Sequence, residues 1–190
     1  MIDVELSTAT SLWIDIPIII ICLAFILVIY WREYRRGKRT LTDQIILITM
    51  MTGYLVIYVY LTFIYRKPLE QRQLLSEPFG SYRHAFSLEG GLHIEHFSTA
   101  RQILLNILVY VPPGCMLPAL FSRIRHPYLA SVGACTLLTL STEILQWITR
   151  LGYCEVDDLI NNMIGGLIGI LLYHIGTKTI QHFQKLPVEQ

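Results

Sequence analysis

The amino-acid sequence predicts an all-α integral membrane protein, a polytopic helix bundle with about five transmembrane helices. Hydrophobic residues occupy 53% of the 190 positions and charged residues only 15%, whereas soluble domains carry about a quarter charged residues. The mean hydropathy is +0.49. The apolar residues are collected into runs of roughly 20, the length that a helix needs to cross a bilayer. The net charge of +1 and the lack of an aromatic–basic surface argue against nucleic acid as a partner.

Five apolar runs account for the predicted helices. Trp31 and Trp147 stand at run ends, where amphipathic rings favour the membrane interface. Pro112 and Pro113 interrupt the third run, so a kink is expected there. In chain order, the runs cover residues 13–31, 45–65, 103–121, 127–147 and 157–175.

Basic residues near the ends of the runs predict the orientation. The loop after the first run carries five basic residues against one acidic residue, and the third-to-fourth loop and the C-terminal tail are also basic. The segment before the first run has no Lys or Arg, and the loop after the fourth run is mostly acidic. Because basic loops stay in the cytoplasm, the N-terminus is predicted outside and the C-terminus in the cytoplasm of a multi-pass cell-membrane protein.

This orientation divides the chain into four segments. Residues 1–66 hold two helices and a basic cytoplasmic loop, residues 67–100 form an outer loop, residues 101–176 form a three-helix core, and residues 177–190 form a cytoplasmic tail.

A polar cluster, TEILQWITRLGYCEVDDLINNMIGG at 142–166, lies between two strongly apolar runs. Glu143 and Gln146 are three residues apart, and Asp158 and Asn162 are four apart, so each pair shares one helix face. An ionisable group inside a span costs a few kcal/mol and usually marks a functional interior, which applies to Glu143. The predicted orientation places the cluster at the outer ends of the fourth and fifth helices.

The third run enters from the same side, so its polar residues join the cluster in one predicted outward-facing pocket. Arg101 would lie near the mouth and Asn106 about one turn further in. The predicted ligand-binding residues are Arg83, Arg101, Asn106, Glu143, Gln146, Arg150, Asp157, Asp158 and Asn162.

Purely structural roles are open alternatives for part of this set. Asp157 and Asp158 could cap the fifth helix and complement its dipole, worth about 1 kcal/mol. Asn162 could hold two helices together, worth about 0.6 kcal/mol on average. Arg150 could extend to a lipid phosphate.

Small residues continue the polar face along the fifth helix. Gly165, Gly166 and Gly169 include a GxxxG pattern, which lets a neighbouring helix approach closely. The simplest geometry is a hairpin in which the glycines hold the fourth and fifth helices together and Glu143 faces Asn162.

Two patterns raise the question of a metal ion. HIEH at 93–96, with His84 nearby, is a short match that no Cys joins, so solvated histidines are favoured over a zinc site. The acidic group lacks EF-hand spacing but could still bind Ca²⁺ or Mg²⁺. No cofactor is predicted, and a divalent cation stays open with oxygen ligands drawn from Glu143, Glu155, Asp157, Asp158 and Asn162.

Three ordered blocks carry a family resemblance. They are EPFGSY at 77–82, RQILLNILVYVPPGCMLP at 101–118, and EILQ at 143–146 with GYCEVDDLINNMIGG at 152–166. The set resembles the signature of the VanZ family, with its Pro-Phe block, its Asn-x-x-x-Phe-x-Pro-x-Gly helix and its Glu-x-x-Gln and Asp-Asp-x-x-x-Asn-x-x-Gly pair. The matching positions are Pro78, Phe79, Asn106, Pro112, Gly114, Glu143, Gln146, Asp157, Asp158, Asn162 and Gly165. The departures are Tyr110 for the usual Phe, Pro113 for Leu, Cys154 for an aromatic residue and Glu155 for Asp.

The resemblance implies an integral membrane protein associated with reduced susceptibility to teicoplanin and related lipoglycopeptides. The first hypothesis is a factor that binds a lipid-linked cell-wall precursor or a lipoglycopeptide at the outer leaflet, without catalysis. The alternative is an enzyme that modifies a lipid-linked envelope substrate, with Glu143, Asp157 and Asp158 as candidate acid/base groups. Transport is weaker, because no polar pathway continues into the inner half and five spans are few unless the protein oligomerises. Membrane lipids are the remaining expected partners.

Overall fold

The computed structural model describes residues 41–66, 68–86 and 94–185, together with Ala24, and these residues form a helix bundle. The helices are α1 (Leu41–Val59, continued by the π-helical turn Tyr60–Ile64), α2 (Gly80–Phe86), α3 (Ile94–Leu120), α4 (Pro127–Thr149) and α5 (Val156–Lys185). Two short strands, β1 (Leu74–Leu75) and β2 (Cys154–Glu155), pair in parallel. The first predicted run lies outside the described residues apart from Ala24, which is helical.

Four of the described helices are long and apolar enough to cross a membrane, and they correspond to the second to fifth predicted runs. Their apolar spans are Leu41–Ile64, His96–Leu120, Pro127–Thr149 and Val156–His182. Large apolar side chains such as Leu129 and Leu137 are exposed on their outer faces, as contact with lipid requires. The predicted class, an all-α multi-pass membrane bundle, is confirmed. The orientation and the division into four segments stay predictions.

The closest helix pair is α3 with α5, and glycine makes this contact possible. A Cβ atom placed on Gly165 would lie 2.0 Å from the carbonyl oxygen of Ile107, and one on Gly169 would lie 2.2 Å from that of Val111. On α3, a Cβ at Gly114 would lie 2.3 Å from the carbonyl oxygen of Gly166. The hairpin expected from the sequence put this approach between the fourth and fifth helices. The structure instead places the close approach between α3 and α5, where the glycines of α5 face backbone carbonyl groups of α3.

Gly166 also faces α4, where its added Cβ would lie 3.0 Å from the sulfur of Cys135. The core beneath the glycine contact is apolar and closed. It consists of Leu47, Val111, Cys115, Met116, Ala119 and Tyr173.

α3 continues through its prolines, which lack the N–H groups that would bond carbonyl groups one turn earlier. A side chain of another helix donates a hydrogen bond to one of these carbonyl groups instead. Pro113 has no N–H, so it cannot bond the carbonyl of Val109 four residues earlier. The hydroxyl of Tyr54 on α1 donates to that carbonyl oxygen instead. Tyr54 belongs to the buried stripe of α1, with Asp43, Leu47 and Tyr58. This bond therefore docks α1 on α3 as well as repairing α3.

The segment 68–86, predicted as a loop, folds back over the turn between α4 and α5. Its β1 pairs with β2, and the N–H of Leu69 donates to the carbonyl of Arg150 at 2.7 Å. The carboxylate of Asp157 accepts from the N–H groups of Phe79, at 2.6 Å, and Ser81, at 2.7 Å. Phe79 adopts a φ of 61°, which turns the chain into α2. The polar start of α5 thus holds the EPFGSY block in place.

Candidate functional site

A cavity of about 450 Å³ lies between α1, α3, α4 and α5. It begins where α1 and α4 end and where α3 and α5 begin, so four helix termini surround its mouth. The exposed residues Arg66 and Gln102 belong to its wall, so the cavity reaches the protein surface at this end. Most of the polar residues singled out in the sequence meet here.

The cavity wall carries basic and acidic groups. Arg66 and Arg101 supply guanidinium groups at the mouth, and Glu143 and Asp158 supply carboxyl groups further in. The guanidinium of Arg66 lies against Gly152, where an added Cβ would be 2.8 Å from its Nη1 atom. Glycine at the α4–β2 turn therefore makes room for this arginine.

Backbone and side-chain donors hold the two carboxyl groups. Glu143 is 3% exposed, and its Oε2 accepts from the N–H of Glu155 at 3.2 Å. Asp158 accepts from the amide Nδ2 of Asn106 at 2.5 Å. These bonds join α4 to β2 and α3 to α5, so the position of each carboxyl depends on a second element.

Asn162 combines a structural contact with a place in the cavity wall. Its Nδ2 donates to the hydroxyl of Thr139 at 2.9 Å, which ties α5 to α4. The interhelical role that the sequence left open for this residue is therefore present.

Below the mouth, α1 and α3 contribute most of the apolar side chains, α4 and α5 contribute polar ones, and the cavity ends in a group of hydroxyls. Ile57, Leu61, Leu105 and Val109 form the apolar part. At the deep end, the hydroxyl of Tyr58 lies 2.9 Å from that of Tyr110 and 2.8 Å from that of Thr142. We call Tyr58, Tyr110 and Thr142 the hydroxyl floor.

The structure brings six of the predicted binding residues into this cavity and places three elsewhere. Arg83 is exposed and pairs with Glu77. Arg150 is exposed at the end of α4, with a φ of 61°. Asp157 points to the first turn of α2. The six cavity residues are Arg101, Asn106, Glu143, Gln146, Asp158 and Asn162.

The sequence reasoning missed Arg66 and the tyrosines of the cavity. Arg66 follows the aromatic end of the second apolar run, a position that reads equally well as a loop boundary. Tyr54 and Tyr58 are four residues apart, so their shared helix face was the available signal.

The electrostatics next to the mouth are set by burial. Glu155 is 8% exposed and lies in β2, outside the membrane-spanning segments. Burial raises the pKa of its carboxyl, the neighbouring Asp157 raises it further, and Arg66 opposes both effects. This carboxyl is therefore easier to protonate than an ordinary glutamic acid.

No group of three His, Cys, Asp or Glu residues within the described part of the chain is placed to hold a metal ion. The rings of His84 and His96 stack 5.2 Å apart, and Nδ1 of His96 lies 2.6 Å from the carbonyl oxygen of His84. His93 lies outside the described residues. The divalent cation considered in the sequence analysis stays an untested alternative.

Comparison with known proteins bears on this bundle and its cavity. The sequence profile of the VanZ/LLP1 family matches residues 18–177, a range that includes the whole cavity wall. The chain is also 31% identical over 78 residues to the protein VanZ of Enterococcus faecium. That alignment covers 41% of this chain and 47% of the relative, about half the length of each. No solved structure matches. The resemblance noted in the sequence is confirmed, and the chain belongs to the VanZ/LLP1 family.

Proposed function

We propose that this chain is a membrane factor that binds an amphiphile of the outer leaflet, a lipid-linked cell-wall precursor or a lipoglycopeptide, and so contributes to teicoplanin resistance. One observation carries the proposal: a single cavity combines a charged mouth with an apolar surface supplied by α1 and α3. An amphiphile has the same two parts, a polar head and an apolar chain.

The polar groups of the cavity suit a head group with several charges or amides. Arg66 and Arg101 can bind a phosphate or carboxylate through charge-assisted hydrogen bonds. Glu143 and Asp158 can accept from an ammonium group or an amide N–H. Glu143 is almost completely buried, which strengthens its interaction with a bound group.

The size of the cavity limits what enters. At about 450 Å³ it falls within the range of small-molecule sites, roughly 300–1,000 Å³. Such a volume holds a head group and part of a chain, so the rest of a large amphiphile would stay in the bilayer or in water.

Matched variants test this proposal. Arg101→Gln and Glu143→Gln remove ionisable groups from the cavity, while Arg83→Gln and Glu77→Gln remove the exposed ion pair outside it. We expect the cavity variants to lose teicoplanin protection in cells, and to lose ligand-dependent thermal stabilisation of the purified protein, at normal expression. The outer pair should keep both.

Equal behaviour of the two sets of variants would contradict the proposal. So would the absence of any thermal shift across a panel of lipid-linked precursors and lipoglycopeptides.

A membrane enzyme is the second candidate, and the shared position of Glu143 and Asp158 favours it. Two carboxyl groups on one cavity wall can act as acid and base on a lipid-linked substrate. Asp157 accepts two bonds from α2 outside this wall, so the pair for this alternative is Glu143 and Asp158.

Mass spectrometry of cell-wall precursors and lipids separates the two functions. The enzyme would be favoured if cells with the protein gained or lost a precursor or lipid species and cells with the Glu143→Gln variant did not show this change. Unchanged species together with ligand binding would favour the binding factor.

A further inference from the structure

The length of the cavity along the helices bears on which amphiphiles it can bind, an inference that rests on the proposed function. The cavity wall follows α3 from Ser98 past Arg101 to Tyr110. Nine residues separate Arg101 from Tyr110, and a helix rises about 1.5 Å per residue, so the mouth and the deep end are about 13 Å apart. The cavity is therefore a slot that runs roughly parallel to the helices.

The hydroxyl floor closes this slot. Tyr58 lies within hydrogen-bond distance of both Tyr110 and Thr142, and Thr142 donates to the carbonyl of Leu138 at 2.9 Å. Because these groups satisfy one another, the floor needs no polar partner from a ligand. Tyr110 is 1% exposed.

The space below the floor is occupied. Leu47, Val111 and Met116 fill the core there and are almost completely buried. A chain that reached further would have to break the buried hydroxyl bonds and displace packed side chains, and both changes oppose binding.

We propose that the hydroxyl floor sets the length of the alkyl chain that the cavity accepts, with a limit of about ten carbons. An extended chain advances roughly 1.2 Å per bond, as the three bonds of each extended peptide residue do. A slot of about 13 Å then holds on the order of ten methylene groups. Tyr58, Tyr110 and Thr142 are the residues that determine this specificity.

Photolabelling of the reconstituted protein tests the chain-length limit by showing which residues the end of each alkyl chain reaches. The probes are alkyl phosphates of 4 to about 16 carbons, a range that brackets the estimated slot length, each with a diazirine at the chain end. The protein is held in nanodiscs, and labelled peptides are identified by mass spectrometry. We expect short chains to label the wall near Leu105 and ten-carbon chains to label the hydroxyl floor. We expect cavity labelling to fall about tenfold for the longest chain.

Two outcomes would overturn the length limit while leaving the proposed function in place. One is cavity labelling by the longest probe that equals that of the ten-carbon probe. The other is a ten-carbon probe that labels the cavity wall but never the floor. Absence of cavity labelling at every length would instead refute the proposed function, and the length limit with it.

A pair of variants adds an independent test. Tyr110→Leu shortens a floor side chain, so the longest accepted chain should increase by several carbons. Tyr60→Leu makes the same chemical change at an exposed position outside the cavity wall, and the limit should not move. An unchanged limit in Tyr110→Leu would overturn the inference. If the Tyr110→Leu variant does not accumulate, photolabelling of the wild-type protein with the probe series still tests the length limit.

Discussion

Replacing Gly165 by alanine should separate α3 from α5. The new Cβ would lie 2.0 Å from the carbonyl oxygen of Ile107, 2.9 Å from its carbonyl carbon and 3.0 Å from Cβ of Tyr110. Ordinary contacts begin at 3.4 Å, so the helices would have to part by about 1.4 Å. Two of these atoms are backbone and the third is a Cβ, which is fixed to the backbone, so none of them can rotate away. The separation must therefore involve the whole helix.

The expected loss follows from overpacking of a closed interface. Extra methyl groups in well-packed cores cost about 1–3 kcal/mol, and a backbone clash belongs at the upper end of that range. We expect Gly165→Ala to lower the free energy of unfolding by about 3 kcal/mol. Because α5 also carries Asp158 and Asn162 into the cavity, ligand-dependent stabilisation should weaken in the same variant.

Thermal or denaturant unfolding in mild detergent measures this loss, with Gly133→Ala as the matched control. Gly133 also lies in a membrane helix, but an added Cβ there meets nothing within 4 Å. We expect the control to be at least as stable as the wild type, since alanine favours helix more than glycine does. Equal stability of the two variants would refute the assignment of Gly165 to the α3–α5 contact.

Three further perturbations probe other contacts. Tyr54→Phe removes the hydroxyl that donates to the carbonyl of Val109, so unfolding in detergent should show a loss of about 1–3 kcal/mol. Asp157→Asn replaces a carboxylate that accepts from the backbone N–H groups of Phe79 and Ser81 at the start of α2, so limited proteolysis should cut the segment 68–86 at least several times faster. Burial raises the pKa of Glu155, so the folded state binds its proton more tightly than the unfolded state. Stability from this group is therefore full below the ordinary value of 4.5 and is lost as pH rises through the raised value, and Glu155→Gln should remove that slope in a series of unfolding curves.

The first two changes have matched controls, and each of the three has an outcome that would count against it. Tyr60→Phe alters an exposed tyrosine, and a loss equal to that of Tyr54→Phe would contradict the role of the Val109 bond. Glu77→Gln removes an exposed carboxyl that pairs with Arg83 inside the segment 68–86 rather than with α5, so equally fast proteolysis of the two variants would contradict the Asp157 tether. If the free energy of unfolding of Glu155→Gln depended on pH as that of the wild type does, the dependence would come from other groups.

The bundle itself could be predicted because the membrane constrains the sequence so strongly. A helix that crosses lipid must be predominantly apolar, and the runs that begin near Ile45 and Pro127 meet this requirement. The segment 68–86 could not be predicted in the same way. Its strands are two residues long, and Asp157 bonds backbone N–H groups, which have no signature in side-chain type.

The candidate site was predictable where a polar side chain breaks an apolar run. Glu143, Asn106 and Asp158 do so, and all three line the cavity. The GxxxG pattern indicated a close approach but not its partner, because both α3 and α4 lie beside α5. Tyr58 was missed because tyrosine suits lipid interfaces as well as cavities, so its presence alone did not distinguish the two.

The hydrogen bond between Tyr54 and the Val109 carbonyl makes the residue tolerated at position 113 depend on the residue at position 54. The VanZ resemblance implies leucine as the usual residue at position 113, and the N–H of a leucine there would bond that carbonyl within α3. A lineage that already had tyrosine at position 54 could accept the proline with its donor in place. A lineage in which proline came first would pass through a destabilised intermediate. Tyrosine before proline is therefore the expected order of substitution, and reversion of Pro113 to leucine should make Tyr54 replaceable.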